Sequence, residues 1–158
     1  MVNRLFTLII MRHAEAEGHS HRDHGRHLTS RGIDTAKTVG QMLRARASHC
    51  DLALSSDATR TLETTKEVLA SFPAKNLIQS HELYAVHEVS DFLAIIESNL
   101  QETDSLILVV GHNPIISAVI SRLTGTRVAL SPADFLILKL ESDSWKTALM
   151  SHGCWIET

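Results

Sequence analysis

Aromatic side chains are scarce in this chain, making up 4% of its 158 residues. A surface that stacks nucleobases needs more planar rings, so this argues against a single-stranded nucleic-acid platform. Basic excess is missing as well: 15 Lys and Arg stand against 18 Asp and Glu, for a formal net charge of −3. That total gives no footprint for a nucleic-acid backbone, although it leaves room for a locally positive pocket. There are only two cysteines, Cys50 and Cys154, far apart in sequence. They make neither a disulfide framework nor a metal knuckle, and free thiols suit a reducing compartment. The apolar run near the N-terminus is broken by Arg12, well short of the ~20 residues that span a bilayer. No small-residue cleavage site follows it. The expectation is a cytoplasmic protein with neither a membrane nor a nucleic-acid partner.

What is present is an ordinary globular composition, 44% hydrophobic and 21% charged. The length suits one domain over residues 1–158, large enough to bury a real core. No internal repeat, low-complexity tract or linker interrupts it. The first structural signal is an apolar run opening at Leu5, which reads as a buried strand ending on Arg12 and His13. The polar, His-rich stretch from Glu15 to His27 reads as a loop. Thr29 or Ser30 then caps a helix with Ile33, Ala36, Gly40, Leu43 and Ala47 on one stripe. Asp51 to Ser56 is a second strand, followed by a helix from about Asp57 that stops before Pro73. Asn76 to Gln79 reads as a third short strand. Val89 to Leu100 reads as a helix, and Ser105 to Val110 is the clearest buried strand. Asn113 as N-cap and Pro114 at the first helical position open the next helix. The tail, residues 135–140 and 145–150, reads as a β-hairpin or a pair of edge strands. Strands alternating with helices predict a three-layer α/β/α sandwich around a mostly parallel sheet.

Three strand-to-helix junctions carry similar side chains. Arg12 and His13 follow the first strand, Arg60 sits in the first turn of the helix after the second, and His112 follows the strand ending at Val110. In a parallel sheet the carboxyl ends of the strands form one crevice. Two guanidiniums and two imidazoles converging there suit a phosphoryl group, which arginine grips with planar, paired donors. A histidine in such a pocket can also attack phosphorus and carry the group covalently.

The same residues resemble a known family. Arg12-His13-Ala14 is similar to the Arg-His-Gly or Arg-His-Ala signature of the histidine phosphatase (phosphoglycerate-mutase-like) superfamily. Leu28-Thr29 with Gly32 and Ala36, Ser55-Ser56 with Arg60 and Thr64, and Val110-Gly111-His112-Asn113-Pro114 resemble its later motifs in the right order. The short chain, the Arg-His-Ala variant and the Asp23-x-x-Arg26-x-Leu28-Thr29 stretch look most like the SixA-type phosphohistidine phosphatases. This resemblance implies a phosphoglycerate-mutase-like fold and a hydrolase that needs no cofactor or metal. It implies His13 as nucleophile, Arg12, Arg60 and His112 as the phosphate pocket, and Arg26 as a further phosphate or substrate contact. Glu63 stands where the family usually has Gln. Larger members place an acid after the third strand, and Glu82 is the positional candidate for that proton donor. A phosphoramidate leaving group has less need of one.

The implied substrate is a phosphorylated protein, carrying phosphohistidine, or a small phosphorylated molecule. The alternatives are a small-molecule phosphomonoesterase and a non-catalytic phosphate- or protein-binding module of the same fold. The run His19, His21, His24 and His27 does not match a recognised zinc spacing, and it reads as a solvated loop.

Overall fold

The computed structural model describes residues 3–18 and 22–157, so His19 and His21 lie outside the described residues. Six strands form one sheet: β1 (Arg4–Arg12), β2 (Cys50–Ser56), β3 (Ala74–Ser80), β4 (Leu106–Gly111), β5 (Phe135–Ser142) and β6 (Trp155–Ile156). Their order across the sheet is β3-β2-β4-β1-β5-β6. β1 to β4 run parallel, β5 runs antiparallel to β1, and β6 antiparallel to β5. The helices are α1 (Ser30–Arg44), α2 (Thr59–Leu69), α3 (His81–Ala85), α4 (Val89–Asn99), α5 (Ile115–Thr124) and α6 (Trp145–Met150).

Alternation along the strands builds two cores. Phe6, Leu8 and Ile10 of β1 and Ile107 and Val109 of β4 face one layer, with residues of α4, α5 and α6. Ile9 and Met11 of β1 and Leu108 and Val110 of β4 face the other, with Ala36, Val39 and Leu43 of α1 and Val68 of α2. Successive side chains of a strand point to opposite faces. A central parallel strand therefore buries both faces and reads as a continuous apolar run.

Register sets the level of the crevice. Arg12 pairs with Gly111 and Ser55 with Val110, while Ser56 pairs with Ser80. The carboxyl ends of all four parallel strands thus reach one edge. Two glycines allow the close packing beside it. A Cβ at Gly32 would come within 2.1 Å of the Glu15 carbonyl oxygen, and one at Gly40 within 2.6 Å of that of Val68. Gly32 lets the start of α1 sit on the chain just beyond His13, and Gly40 lets α1 rest against α2.

Two local expectations are corrected. Residues 145–150 are the helix α6, not a strand: the Ser144 side chain accepts from the Thr147 N–H, and Trp145, Ala148 and Leu149 are buried at helical spacing. The strand that pairs with β5 at the edge is β6 instead. Asn113 is not an N-cap. Its amide donates to the Leu130 carbonyl, its side-chain oxygen accepts from Ser117, and the cap position is Pro114, after a cis peptide bond. The stretch 81–85, between the third strand and the fourth helix, is the short helix α3, capped by Ser80 accepting from the Leu83 N–H. Among the described residues no helix is long and apolar enough to cross a membrane.

Candidate active site

Backbone bonds fix His13 before its side chain does anything. Its N–H donates to the Gly111 carbonyl and its own carbonyl accepts from Ala133, which sits at the left-handed φ of 69°. The next N–H, that of Ala14, donates to Thr64 Oγ1 in α2, whose hydroxyl in turn donates to the Arg60 carbonyl. The loop after β1 is thereby pinned to the helix that carries Arg60.

The His13 ring is 8% exposed, and its Nδ1 lies 2.8 Å from the Ala14 carbonyl oxygen. A carbonyl can only accept, so Nδ1 carries the proton and the neutral ring keeps its lone pair on Nε2. The Arg60 Nε–H points at that lone pair from 3.3 Å. Arg60, itself 5% exposed, also donates through a terminal nitrogen to His112 Nδ1 at 3.2 Å. With Nδ1 accepting, the neutral His112 ring donates from Nε2 to Ser56 Oγ at 2.7 Å. The two imidazole centroids are 5.4 Å apart. The pocket floor is therefore His13 and His112 with one guanidinium between them.

Burial pushes both rings well below the ordinary histidine value, His13 to about 4 and His112 to about 3. The Arg60 charge adds to the depression in each case, because a nearby cation disfavours a second one. Both rings are neutral at physiological pH. His13 Nε2 is then available as a nucleophile without first losing a proton.

Arg12 donates from one terminal nitrogen to the Leu130 carbonyl at 2.9 Å, while its Nε–H is buried and lacks a partner among the described residues. An unmatched buried donor costs about 1–3 kcal/mol unless a ligand oxygen meets it. Arg26 is mostly buried and holds Asp23 Oδ1 and the Glu17 carbonyl. Its charge is close enough to lower both His13 and His112. Arg12, His13, Arg26, Arg60 and His112 are therefore brought together as the sequence predicts.

Glu82 is placed apart from them. It is exposed on α3 and borders a separate hollow with Gln79, His81 and Asn99. The carboxylate beside the floor is Asp23, which accepts from Arg60 at 3.2 Å and from the Tyr84 hydroxyl at 2.8 Å. Burial alone would raise the Asp23 carboxyl, but the Tyr84 hydroxyl, Arg60 and Arg26 outweigh it and hold the group below its ordinary value. Asp23, Tyr84, Arg60, His112 and Asn113 line a cleft of about 370 Å³. Tyr84 escaped the sequence reading, and Ser56 was read only as part of a motif, without its bond to His112. The two serines closing β2 and the lone tyrosine of the chain were the available signals. Glu63 accepts from the Leu28 N–H and His27, so it ties the 22–28 loop to α2 instead of entering the cleft.

At the rim, three groups from three segments meet: His24, Asp57 and His81, whose ligand-type atoms lie within 4.8 Å of one another. His24 packs edge-on against Tyr84 at 4.7 Å. The rim and the floor share Tyr84 and the 3₁₀ turn Asp23–Gly25.

Known proteins resemble this chain in sequence and fold. The profile of the histidine phosphatase superfamily (branch 1) matches residues 8–88. A phosphohistidine phosphatase SixA homolog of Haemophilus influenzae is 29% identical over 157 residues, covering 92% of this chain and 93% of that protein. An uncharacterised chloroplastic protein of Arabidopsis thaliana is 32% identical over 156 residues, covering 92% of this chain and 72% of the other. The structure of a protein assigned as phosphohistidine phosphatase SixA from Nakamurella multipartitia superposes with a TM-score of 0.79 at 28% identity, covering 98% of this chain and 95% of that one. With its motif residues gathered at one sheet edge and its profile matched over half the length, the chain belongs to the histidine phosphatase superfamily, branch 1.

Proposed function

We propose that the protein is a cytoplasmic phosphatase that removes a phosphoryl group from a protein phosphohistidine through a covalent intermediate on His13. The observation that carries this reading is the Ala14 carbonyl holding the His13 Nδ1 proton, which turns the Nε2 lone pair toward Arg60 and His112.

In the first step the Nε2 lone pair forms a bond to phosphorus as the bond to the leaving nitrogen breaks, and that nitrogen keeps the electron pair. The Arg60 Nε–H exchanges the lone pair for an equatorial phosphoryl oxygen, Arg12 Nε–H serves a second, and His112 serves another once the phosphoryl charge draws a solvent proton onto Nδ1. The phosphorylated ring, still protonated at Nδ1, is cationic, and the Ala14 carbonyl stabilises it. In the second step water attacks phosphorus, the P–Nε2 bond breaks, and Nε2 recovers its pair as a good leaving group. The water's surplus proton passes to phosphate or solvent.

A phosphohistidine substrate is favoured because the carboxyl lining the cleft, Asp23, is held ionised by its hydroxyl and guanidinium donors. It has no proton to give, whereas a leaving imidazole takes one readily from water. The reading is supported by the SixA homolog among the relatives. The deciding experiment compares turnover of a phosphohistidine protein, sugar phosphates and p-nitrophenyl phosphate. Faster release from the phosphohistidine protein is expected. Sugar phosphates turning over faster would make the enzyme a small-molecule phosphomonoesterase, and no turnover of any substrate would leave a binding module.

A further inference from the structure

The rim cluster has the composition of a metal site. His24 comes from the 3₁₀ turn Asp23–Gly25, Asp57 from the junction between β2 and α2, and His81 from the start of α3. His24 Nε2 stands 2.8 Å from Asp57 Oδ1, and His81 Nδ1 stands 3.0 Å from Asp57 Oδ2. All three ligand-type atoms fall within 4.8 Å of one another. A zinc ion with arms of about 2.0–2.1 Å separates tetrahedral ligand atoms by about 3.3–3.4 Å, so the two Asp57 pairs need to open only slightly to admit one, and the N–H protons they now share with Asp57 pass to solvent or to the far ring nitrogens. The side chains of His24 and His81 are 44% and 68% exposed, which provides an entry path and room for a solvent ligand.

We propose that His24, Asp57 and His81 bind one divalent zinc-class ion at the rim of the cleft. Two imidazoles and one carboxylate select borderline transition metals over magnesium or calcium, which prefer all-oxygen shells. The ion would sit outside the floor, since none of its ligands touches His13 or His112 in the bonds described above. Its effect would be to clamp the turn bearing Asp23 onto α3. Asp23 follows Arg22 and precedes His24 in that turn, and it holds Arg60 and Tyr84. The clamp therefore acts on substrate access and on the placement of Arg60, and the displacement chemistry is left to the floor. The proposal stands whether or not the substrate is a phosphohistidine.

The test uses the full chain stripped of metal by chelator and dialysis, then titrated with zinc chloride by calorimetry and with cobalt(II) by visible absorption. One ion per chain is expected, with cobalt bands of a four- or five-coordinate nitrogen-oxygen site. His81→Ala and Asp57→Asn should each weaken zinc binding by at least about tenfold, while His87→Ala and His152→Ala should leave it unchanged. Circular dichroism confirms that the variants fold. Hydrogen exchange supplies an independent readout: zinc should slow the amides of Asp23 to Gly25 in the parent protein and not in Asp57→Asn. Zinc binding that survives both His81→Ala and Asp57→Asn, or no binding by the parent protein, would overturn the proposal.

Discussion

Two pairs of imidazoles lie a few ångströms apart in this molecule, and they are built on opposite principles. His13 and His112, 5.4 Å apart by ring centroid, are buried against a guanidinium. His24 and His81, 6.0 Å apart, are half-buried and exposed respectively and share a carboxylate. The first pair is kept neutral by burial and by the nearby cation, so the His13 lone pair stays on Nε2 in the pocket. The second pair donates its N–H groups to an anion, at a place that solvent and ions reach. The same side chain thus holds a buried lone pair or anchors a rim according to what surrounds it, and position in the sheet decides which. The floor stands at the ends of β1 and β4, where both neighbouring backbones are fixed in a ladder. The rim stands on a 3₁₀ turn and a five-residue helix.

The contrast is broken most severely at His13. Replacing it with alanine is expected to lower turnover by about 10⁴-fold or more, since the covalent route is removed and only binding contributions persist. The acid-labile phosphoenzyme seen on rapid quenching with labelled substrate should vanish. Trapping that species in His13→Ala would move the nucleophile elsewhere. Next in size is Arg60→Ala, which removes the donor between the two rings and a phosphoryl contact together. A loss of about 10²–10³-fold is expected from removing one such preorganised donor. Glu82→Gln should change turnover by less than about twofold, because Glu82 faces another hollow. A larger loss in Glu82→Gln than in Arg60→Ala would reinstate it as the proton donor and point to an oxygen-ester substrate.

Much of the floor was legible in the sequence for a physical reason. A parallel strand buried on both faces stops where polar residues begin, so Arg12-His13 and Gly111-His112 announce their own positions at the sheet edge. The rim was not legible, because Asp23, Asp57, His81 and Tyr84 meet only after the turn closes over α3. Residues 80–84 make the point. Glu82 drew attention as the carboxylate, yet α3 turns about 100° per residue, so Glu82 and Tyr84 face nearly opposite ways. The helix gives Tyr84 to the cleft and Glu82 to the outside. The tail was misread for a similar reason: Phe135 to Leu140 and Trp145 to Met150 look alike in composition. The Ser144 cap and the spacing of Trp145, Ala148 and Leu149 separate helix from strand.

Acid sharpens the comparison, because it charges the floor. In the unfolded chain both floor rings titrate near the ordinary 6.5, while in the folded protein they titrate at about 4 and about 3. Between those values the unfolded state holds more protons, so unfolding free energy must fall as pH falls. The loss begins near pH 6.5, with a slope of up to about 1.4 kcal/mol per pH unit for each ring. It levels off for His13 below about 4. Urea midpoints between pH 7 and 4.5 should show the slope, and His13→Gln should reduce it. The lowered carboxyls of Asp23, Asp51 and Asp57 lose their contribution only below the ordinary carboxyl range, so they leave this window to the histidines. Proton resonances of the His13 ring titrating near 6.5 in the folded protein would remove the basis for a neutral nucleophile held by burial.

A smaller effect than at either floor residue falls on the residue that joins the two pairs. Tyr84 donates to Asp23 Oδ2 at 2.8 Å, stands edge-on to His24 at 4.7 Å and to His112 at 5.6 Å. Tyr84→Phe keeps the ring and removes one hydrogen bond to an ionised acceptor. Asp23 retains Arg60 and Arg26, so the carboxylate stays paired and the loss is that of a single partly exposed bond, about 0.5–1.5 kcal/mol. That corresponds to roughly a two- to tenfold fall in kcat/KM, expected to come mainly through KM because the reacting atoms sit on the floor. The Asp23 carboxyl should titrate higher in the variant, since the Tyr84 hydroxyl helps to hold it down. A fall confined to kcat would instead place the Tyr84 hydroxyl among the groups that serve the phosphoryl oxygens, and floor and rim would have to be redrawn as one site.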